Sequence, residues 1–207
     1  LSDLLWPDAD GDRAHSSFTT TLSRLRLIIG LNKAIEFRDG TASLNPRYCW
    51  VDLRAFEEVF RELDSFLEQL EASGKSGRRS LSTVLQLAER AMDLYGGPLL
   101  PGESGHAWVA PVRDRVRDRF LSLVIRLGSH LETLEEWGKA ARYYRMALDT
   151  DETVDEELFR RLMICHHRLG QPSRTMEVYR QCRKTLFSAL GVEPSQKTQT
   201  LYRELIL

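Results

Sequence analysis

A run of small hydroxyl residues flanked by arginines is the part of this sequence best suited to contact a ligand. The candidate contacts on it are Arg13, Ser16, Ser17, Thr19, Thr20, Ser23, Arg24 and Arg26. Small hydroxyl side chains let a helix backbone approach base edges in the major groove of DNA, and nearby arginines can reach the phosphates. The segment from Arg13 to Ile35 contains no acidic residue, and its basic residues, which include Lys33, form a local basic patch. This pattern favours binding to double-stranded DNA.

A helix over residues 13–29 is the element that must present these side chains. Its apolar residues recur at helical spacing on one narrow stripe, which we expect to be core: Ala14, Phe18, Leu22, Leu25 and Ile29. Either Asp10 or Asp12 is a suitable N-cap, and a preceding short helix is expected to close at Pro7. The hydroxyl and basic residues fall on the opposite face and its flanks.

A β-hairpin follows the helix and adds two candidate contacts. The segments Lys33–Arg38 and Thr41–Leu44 flank Asp39-Gly40, a dipeptide suited to a two-residue type I′ turn. This loop pairs Phe37 with Ala42 and Ile35 with Leu44, so the apolar side chains share one face. A run over residues 49–51 could add a third strand. Arg38 and Thr41 at the tip are placed like the wing of a winged helix.

The chain after Asp52 is periodic at helical spacing and contains a repeat. The first stripe consists of Phe56, Phe60, Leu63, Leu67 and Leu70. Small and large residues then alternate as tetratricopeptide helix pairs require, at Val124, Leu127, Gly128, Leu131, Ala140, Tyr144 and Ala147. A looser second unit follows with Phe159, Leu162, Met163, Thr175, Tyr179 and Cys182. The predicted fold class is mainly α: tetratricopeptide-like antiparallel helix pairs preceded by a partial winged helix made of helix-loop-helix and β-hairpin.

Composition excludes several other classes of protein. The 207 residues carry a net charge of -1, so any nucleic-acid site must be a local patch. The three cysteines are far apart and match neither a disulfide framework nor a zinc module, which favours a reducing cytoplasm. No apolar stretch is long enough to span a membrane. No residue pattern matches a metal site, a cofactor site or a catalytic nucleophile, so we expect a protein that is not an enzyme.

Several segments resemble one family. The string LSDLLWPDADGDRAHSSFTTTLSRLRLIIG resembles the second and recognition helices of the response-regulator-type winged helix in SARP-type transcriptional activators. The segments VDLRAFE, LYGGPLLPG and LGVEPSQKTQTLYREL, in that order, are similar to the bacterial transcriptional activator domain that follows it. The resemblance covers nearly the whole chain and divides it into 1–52, the C-terminal part of the winged helix, and 53–207, the helical-repeat activator domain. The sheet and first helix that open the family's winged helix are not present in this sequence.

The resemblance implies a cytoplasmic transcription activator. Such a protein binds repeated sites in duplex DNA, usually as a homodimer, and contacts RNA polymerase, while the helical repeats make protein contacts. The alternative hypothesis is a helical-repeat adaptor whose hairpin module no longer binds DNA, because a short helix with a polar face is often only solvated.

Overall fold

The computed structural model describes residues 5–6, 8–73, 78–102, 108–150 and 155–207. Its elements are α1 (Gly11–Ile29), a 3-10 turn (Asn32–Ala34), β1 (Ile35–Arg38), β2 (Thr41–Leu44), α2 (Asp52–Ser73), α3 (Arg78–Leu94), α4 (Val109–Thr133), α5 (Trp137–Thr150), α6 (Glu156–Arg168), α7 (Pro172–Leu190) and α8 (Gln196–Ile206). The predicted mainly α class is confirmed. The chain divides into two compact units, one ending at Ala55 and the other running from Phe56 to Leu207.

Helix α1 is bounded by local capping interactions. The Asp10 side chain accepts a hydrogen bond from the backbone N–H of Arg13 at 2.9 Å, so Asp10 rather than Asp12 is the N-cap. Gly30 ends the helix with a positive φ of 72°, a conformation that glycine adopts without strain. The predicted close of an earlier helix at Pro7 lies outside the described residues.

The prediction that the whole apolar stripe of α1 is core is wrong for its C-terminal half. Ala14 and Phe18 are buried, whereas Leu25 and Ile29 are 43% and 44% exposed. The hairpin does not close over this part of the helix, since Leu25 faces Ile35 and Leu44 across an open space. The uncovered side lines an apolar groove of about 280 Å³ with Trp6.

The hairpin has the predicted register and turn. Ile35 pairs with Leu44 and Phe37 with Ala42. Asp39 and Gly40 both have positive φ, 49° and 75°, as a type I′ turn requires. The first strand begins at Ile35 rather than at the predicted Lys33. Residues 32–34 form a 3-10 turn instead, in which the Ala34 N–H donates to the Leu31 carbonyl at 3.0 Å.

The third strand predicted at residues 49–51 does not form. The backbone N–H groups of Tyr48 and Cys49 both donate to the carbonyl of Asn45, at 3.0 and 2.9 Å. These N–H groups are therefore used in a turn and are not available to pair with a neighbouring strand. Trp50, within the expected strand, is 75% exposed. The described sheet has two strands.

Aromatic stacking and ion pairs join α2 and α4 in the helical unit. The ring of Tyr95 stacks on Phe120 at 3.8 Å and also meets Phe56 at 5.7 Å. On the surface, Arg119 pairs with Glu57 at 2.7 Å, and Arg126 pairs with Asp64 and with Glu68 and Glu71. Helix α4 begins at Val109 and tolerates Pro111, because a proline in the first turn lacks only an N–H that would be unpaired there.

The first repeat unit packs as the small-and-large pattern predicts. Helices α4 and α5 are joined by residues 134–136 only, so they run antiparallel. All seven residues assigned to the pattern in this pair are buried. A Cβ added at Gly128 would overlap the ring of Tyr144, so the missing side chain makes room for that ring. The Tyr144 hydroxyl donates to Glu132 at 2.6 Å, and burial, with Glu132, raises the pKa of Tyr144.

The second unit consists of α6 and α7 and is closed by α8. Five of its six pattern residues are buried and Tyr179 is half-buried, where its ring stacks on Tyr202 of α8 at 3.9 Å. The Glu156 carboxylate accepts hydrogen bonds from the N–H and hydroxyl of Ser195, at 3.0 and 2.7 Å, and from the Thr198 hydroxyl. One side chain of α6 therefore caps the N-terminus of α8.

The contacts of Glu156 predict a pH dependence of stability. Burial opposes ionisation of this carboxyl, but the hydrogen bonds from Thr198 and Ser195 and the charge of Arg160 outweigh it, so its pKa is lowered. A lowered pKa stabilises the fold above the ordinary carboxyl value of about 4.3, and this contribution disappears as pH falls through the folded-state value. We expect the difference in unfolding free energy between the parent and Glu156→Gln to be largest near neutral pH.

Urea unfolding of the two proteins between neutral and strongly acidic pH measures this difference. Glu204→Gln, an exposed position on α8, is the matched control, and its stability should follow the parent within about 0.5 kcal/mol. A Glu156→Gln penalty that is constant across the acidic range would contradict the assigned role.

No described helix is long and apolar enough to cross a membrane.

Candidate nucleic-acid interface

Most of the eleven residues predicted to contact DNA lie on the surface of the first unit. Nine are exposed, namely Arg13, Ser16, Thr19, Thr20, Ser23, Arg24, Lys33, Arg38 and Thr41. Ser17 and Arg26 are half-buried. Eight belong to α1, Lys33 to the 3-10 turn, and Arg38 and Thr41 face each other as the last pair of the hairpin. The structure therefore presents the predicted set on α1, the 3-10 turn and the adjoining hairpin.

Hydroxyl groups on α1 differ in their hydrogen bonding. The Thr19 hydroxyl donates to the carbonyl of His15 at 3.0 Å, and the Ser23 hydroxyl donates to the carbonyl of Thr19 at 2.9 Å. Such back-bonding occupies the hydroxyl proton and leaves the oxygen as an acceptor. Ser16 and Thr20 are one turn apart, and no such bond holds their hydroxyls within the described residues. These two are the better placed to both donate and accept at a base edge.

Arg26 differs from the other candidates because its guanidinium has a partner inside the unit. Its Nη2 and Nε donate to the backbone carbonyl of Ile35, at 2.7 and 3.2 Å. On an ideal helix, Arg26 lies about 200° around from Arg24, which places the two on different sides. Arg26 thus ties the helix to the start of the hairpin. Its role as a DNA contact stays a prediction, and the bond to Ile35 gives it a positioning role.

An aromatic contact supports the same arrangement. The ring of Phe18 lies 5.1 Å from the ring of Phe37, tilted by 50°. Such a tilted pair is a favourable geometry for aromatic side chains. Together with the Arg26 bond, it holds the outward face of α1 and the hairpin tip in a defined relation.

Carboxylates lie beside the basic patch at both ends. Arg13 is 3.7 Å from Asp10, and Arg38 is 3.4 Å from Glu36. Both arginine side chains are largely exposed, and exposed ion pairs of this kind are weak. Glu36 also accepts a hydrogen bond from Asn45 at 2.5 Å. Arg24 and Lys33 have no ion pair within the described residues, so they are the freest positive charges of the patch.

The structure adds two exposed residues that the sequence reasoning left out. His15 lies one turn before Thr19 on α1, and its i, i+4 spacing to that residue could have identified it. Arg47 follows the hairpin in a turn where its N–H donates to the Asn45 side chain at 2.9 Å. Only the folded turn, in which an Asn side chain orders the backbone two residues on, places Arg47 beside the hairpin.

Other side chains with potential chemistry have structural surroundings. Among the described residues no cluster of His, Cys, Asp and Glu could hold a metal ion. Burial, with the nearby charge of Glu132, raises the pKa of the Cys165 thiol to about 12. Burial, with Glu156, raises that of Cys182 to about 12 as well. Thiolates are therefore scarce at both sites at neutral pH.

Comparison with known proteins identifies relatives. Residues 52–206 match the family described as the bacterial transcriptional activator domain. The whole chain aligns with the regulatory protein DnrI of Streptomyces peucetius, at 29% identity over 222 residues, and spans 76% of that protein. It also aligns with the regulatory proteins AfsR of Streptomyces coelicolor and Streptomyces griseus, at 26% and 24% identity, and spans 20% of the length of each.

Proposed function

Because the chain belongs to the bacterial transcriptional activator domain family of transcription regulators, we propose that its first unit binds duplex DNA and its helical unit makes the protein contacts of activation. One observation carries the DNA contact: a helix face of exposed hydroxyl and basic residues, with no acidic residue from Arg13 to the end of the helix, is tied to a hairpin that exposes Arg38 and Thr41.

The geometry fits a recognition helix with a wing. The major groove of B-DNA is wide enough to admit an α-helix, and small side chains such as Ser16 and Thr20 allow a close approach. Arg13 and Arg24 lie about 20° apart around α1 and about 16 Å apart along it, so one side of the helix can reach phosphates at two points. The hairpin tip then reaches backbone or the adjacent minor groove.

Further parts of the proposal concern organisation and partners. Residues 1–52 act as the C-terminal part of a winged helix, and residues 53–207 act as a tetratricopeptide-like activator domain. RNA polymerase and a second copy of the chain are the proposed protein partners. The protein acts in the cytoplasm, has no enzymatic activity and needs no cofactor. The family match and the regulatory relatives support this reading.

Arg24→Ala tests the DNA contact. Removing one phosphate contact should weaken binding to all sequences by a similar factor and reduce the slope of log affinity against log salt by about 1. The measurement is fluorescence anisotropy with duplexes selected by the full-length protein from a random pool, repeated at several salt concentrations.

Ser16→Ala is the matched control on the same face. It should leave the salt slope unchanged while altering the preferred sequence in a repeated selection, because Ser16 is proposed to face bases. If Arg24→Ala and the parent have equal affinity and an equal salt dependence of affinity, α1 does not contact DNA, and the adaptor alternative is favoured.

A further inference from the structure

A basic groove crosses the second helices of the two repeat units. Its volume is about 520 Å³, and it is lined by α5, the end of α6 and the start of α7. The charged lining residues are Arg142, Arg145, Arg174 and Glu177. None of them belongs to the predicted DNA contacts, and the groove lies entirely within the helical unit.

Two of the guanidinium groups lack a carboxylate partner. Arg142 pairs with Glu89 at 3.0 Å, so its charge is already compensated. Arg145 donates to the neutral Gln181 side chain, and Arg174 has no ion pair or side-chain hydrogen bond within the described residues. Among the described lining residues, the two arginines without a carboxylate partner outnumber the single carboxylate, Glu177, so the net charge of the lining is positive and favours an anionic ligand.

The floor of the groove is apolar and ordered. Ala141 is buried, Leu169 is 39% exposed and accessible to a ligand, and Gly138 leaves open space. His166 is only 7% exposed and its Nδ1 lies 3.0 Å from the Gln171 side-chain oxygen. Burial and the charges of Arg174 and Arg145 outweigh the Gln171 bond and the charge of Glu177 and lower the pKa of His166, which therefore stays neutral at neutral pH. The imidazole thus lines the groove as an uncharged ring held in place by its hydrogen bond to Gln171.

We propose that this groove binds an acidic peptide segment of a protein partner, with carboxylates held by Arg145 and Arg174 and an apolar side chain on Ala141 and Leu169. The inference goes beyond the proposed DNA contact and does not depend on it. A peptide carries only a few carboxylates, which can contact the arginines without lying next to the negative charges of Glu177 and Glu89. A duplex would instead bring a phosphate every few ångströms against those two carboxylates. Small-molecule sites enclose most of their ligand, whereas Arg142 and Arg174 leave this groove open.

A random library of twelve-residue peptides displayed on phage, selected on the full-length protein, tests the proposal. Peptides with neighbouring Asp or Glu residues and one apolar residue should be enriched over the unselected library. The best synthetic peptide should shift the His166 ring signals in NMR spectra, which reports binding at this groove rather than elsewhere. Selection without acidic enrichment, or binding that leaves the His166 signals unchanged, would overturn the proposal.

The variant Arg145→Gln/Arg174→Gln should lose about tenfold or more in affinity for that peptide, because charge-assisted hydrogen bonds are lost. Arg180→Gln/Lys184→Gln removes two positive charges from α7 outside the groove, and it should change the affinity less than twofold. Equal losses in both double variants would mean unspecific attraction and contradict a built site.

Random-sequence duplex DNA provides the last arm of the test. The groove variant should bind it as the parent does, whereas Arg24→Ala should not if the proposed function holds. Loss of duplex binding in Arg145→Gln/Arg174→Gln would assign the groove to DNA instead of a peptide. Because the two variants report on different units, failure of one proposal is distinguishable from failure of the other.

Discussion

Replacing Gly128 by alanine is expected to lower the unfolding free energy by about 3 kcal/mol, because the added Cβ would overlap a buried ring. The atoms it would meet are Cζ, Cε1 and Oη of Tyr144, whose side chain has no exposed surface. Moving that ring would also break its 2.6 Å hydrogen bond to Glu132. The intrinsic helix preference of alanine over glycine, up to about 1 kcal/mol, offsets only part of this cost. Urea unfolding followed by circular dichroism measures the change.

Gly138→Ala is the matched control for this prediction. A Cβ at Gly138 of α5 meets no atom within 4 Å, so the substitution should be neutral or slightly stabilising. In a Tyr144→Leu background, which removes the overlapped ring atoms, Gly128→Ala should cost less than about 1 kcal/mol. An unchanged penalty in that background would show that the ring is not the cause.

Phe18→Ala is expected to have the largest effect on DNA binding of any single change outside the basic residues. Phe18 is 9% exposed and its ring contacts Phe37, so truncation should cost the first unit about 3–5 kcal/mol. The buried core of that unit is small, and its binding-competent population should fall with the lost stability. Apparent affinity falls by the same fraction, roughly tenfold or more. Anisotropy with a selected duplex measures the loss.

Hydrogen exchange shows which part of the Phe18→Ala protein is destabilised. Amides of α1 and the hairpin should lose protection in Phe18→Ala, while α4 to α7 stay protected. Phe187→Ala, at an exposed position on α7, is the control and should change neither stability nor affinity appreciably. Full DNA affinity in a Phe18→Ala protein whose first unit is unprotected would exclude that unit from the interface.

The agreement between sequence and structure is best where a few neighbouring residues decide the conformation. The Asp39-Gly40 turn sets the hairpin register, because this dipeptide suits a type I′ loop, whose twist matches that of the flanking strands. Spacing alone assigns Gly128 and Tyr144 to the small-and-large pattern of the repeat, and the structure shows that these two meet. Only the structure identifies Asp10 as the N-cap of α1, because Asp12 has an equivalent side chain two residues later in the sequence.

Expectations failed where distant backbone groups compete for partners. The backbone N–H groups of Tyr48 and Cys49 donate to the carbonyl of Asn45, so the third strand does not form. The local sequence does not predict this turn. Leu25 and Ile29 match a core stripe, but burial depends on whether the hairpin closes over that part of α1. Arg26 resembles Arg24 in sequence, and only the position of the Ile35 carbonyl distinguishes them.

The sequence by itself determined the mainly α class, the hairpin register, the small-and-large packing of the repeats and the residues of a basic, hydroxyl-rich helix face. These follow from periodicity and turn chemistry, which act over a few residues. The tertiary structure decided that Arg26 braces the helix, that Glu156 caps α8, and that Arg145 and Arg174 meet in one groove. Those pairings join residues far apart in the chain, and packing of whole helices sets their distances.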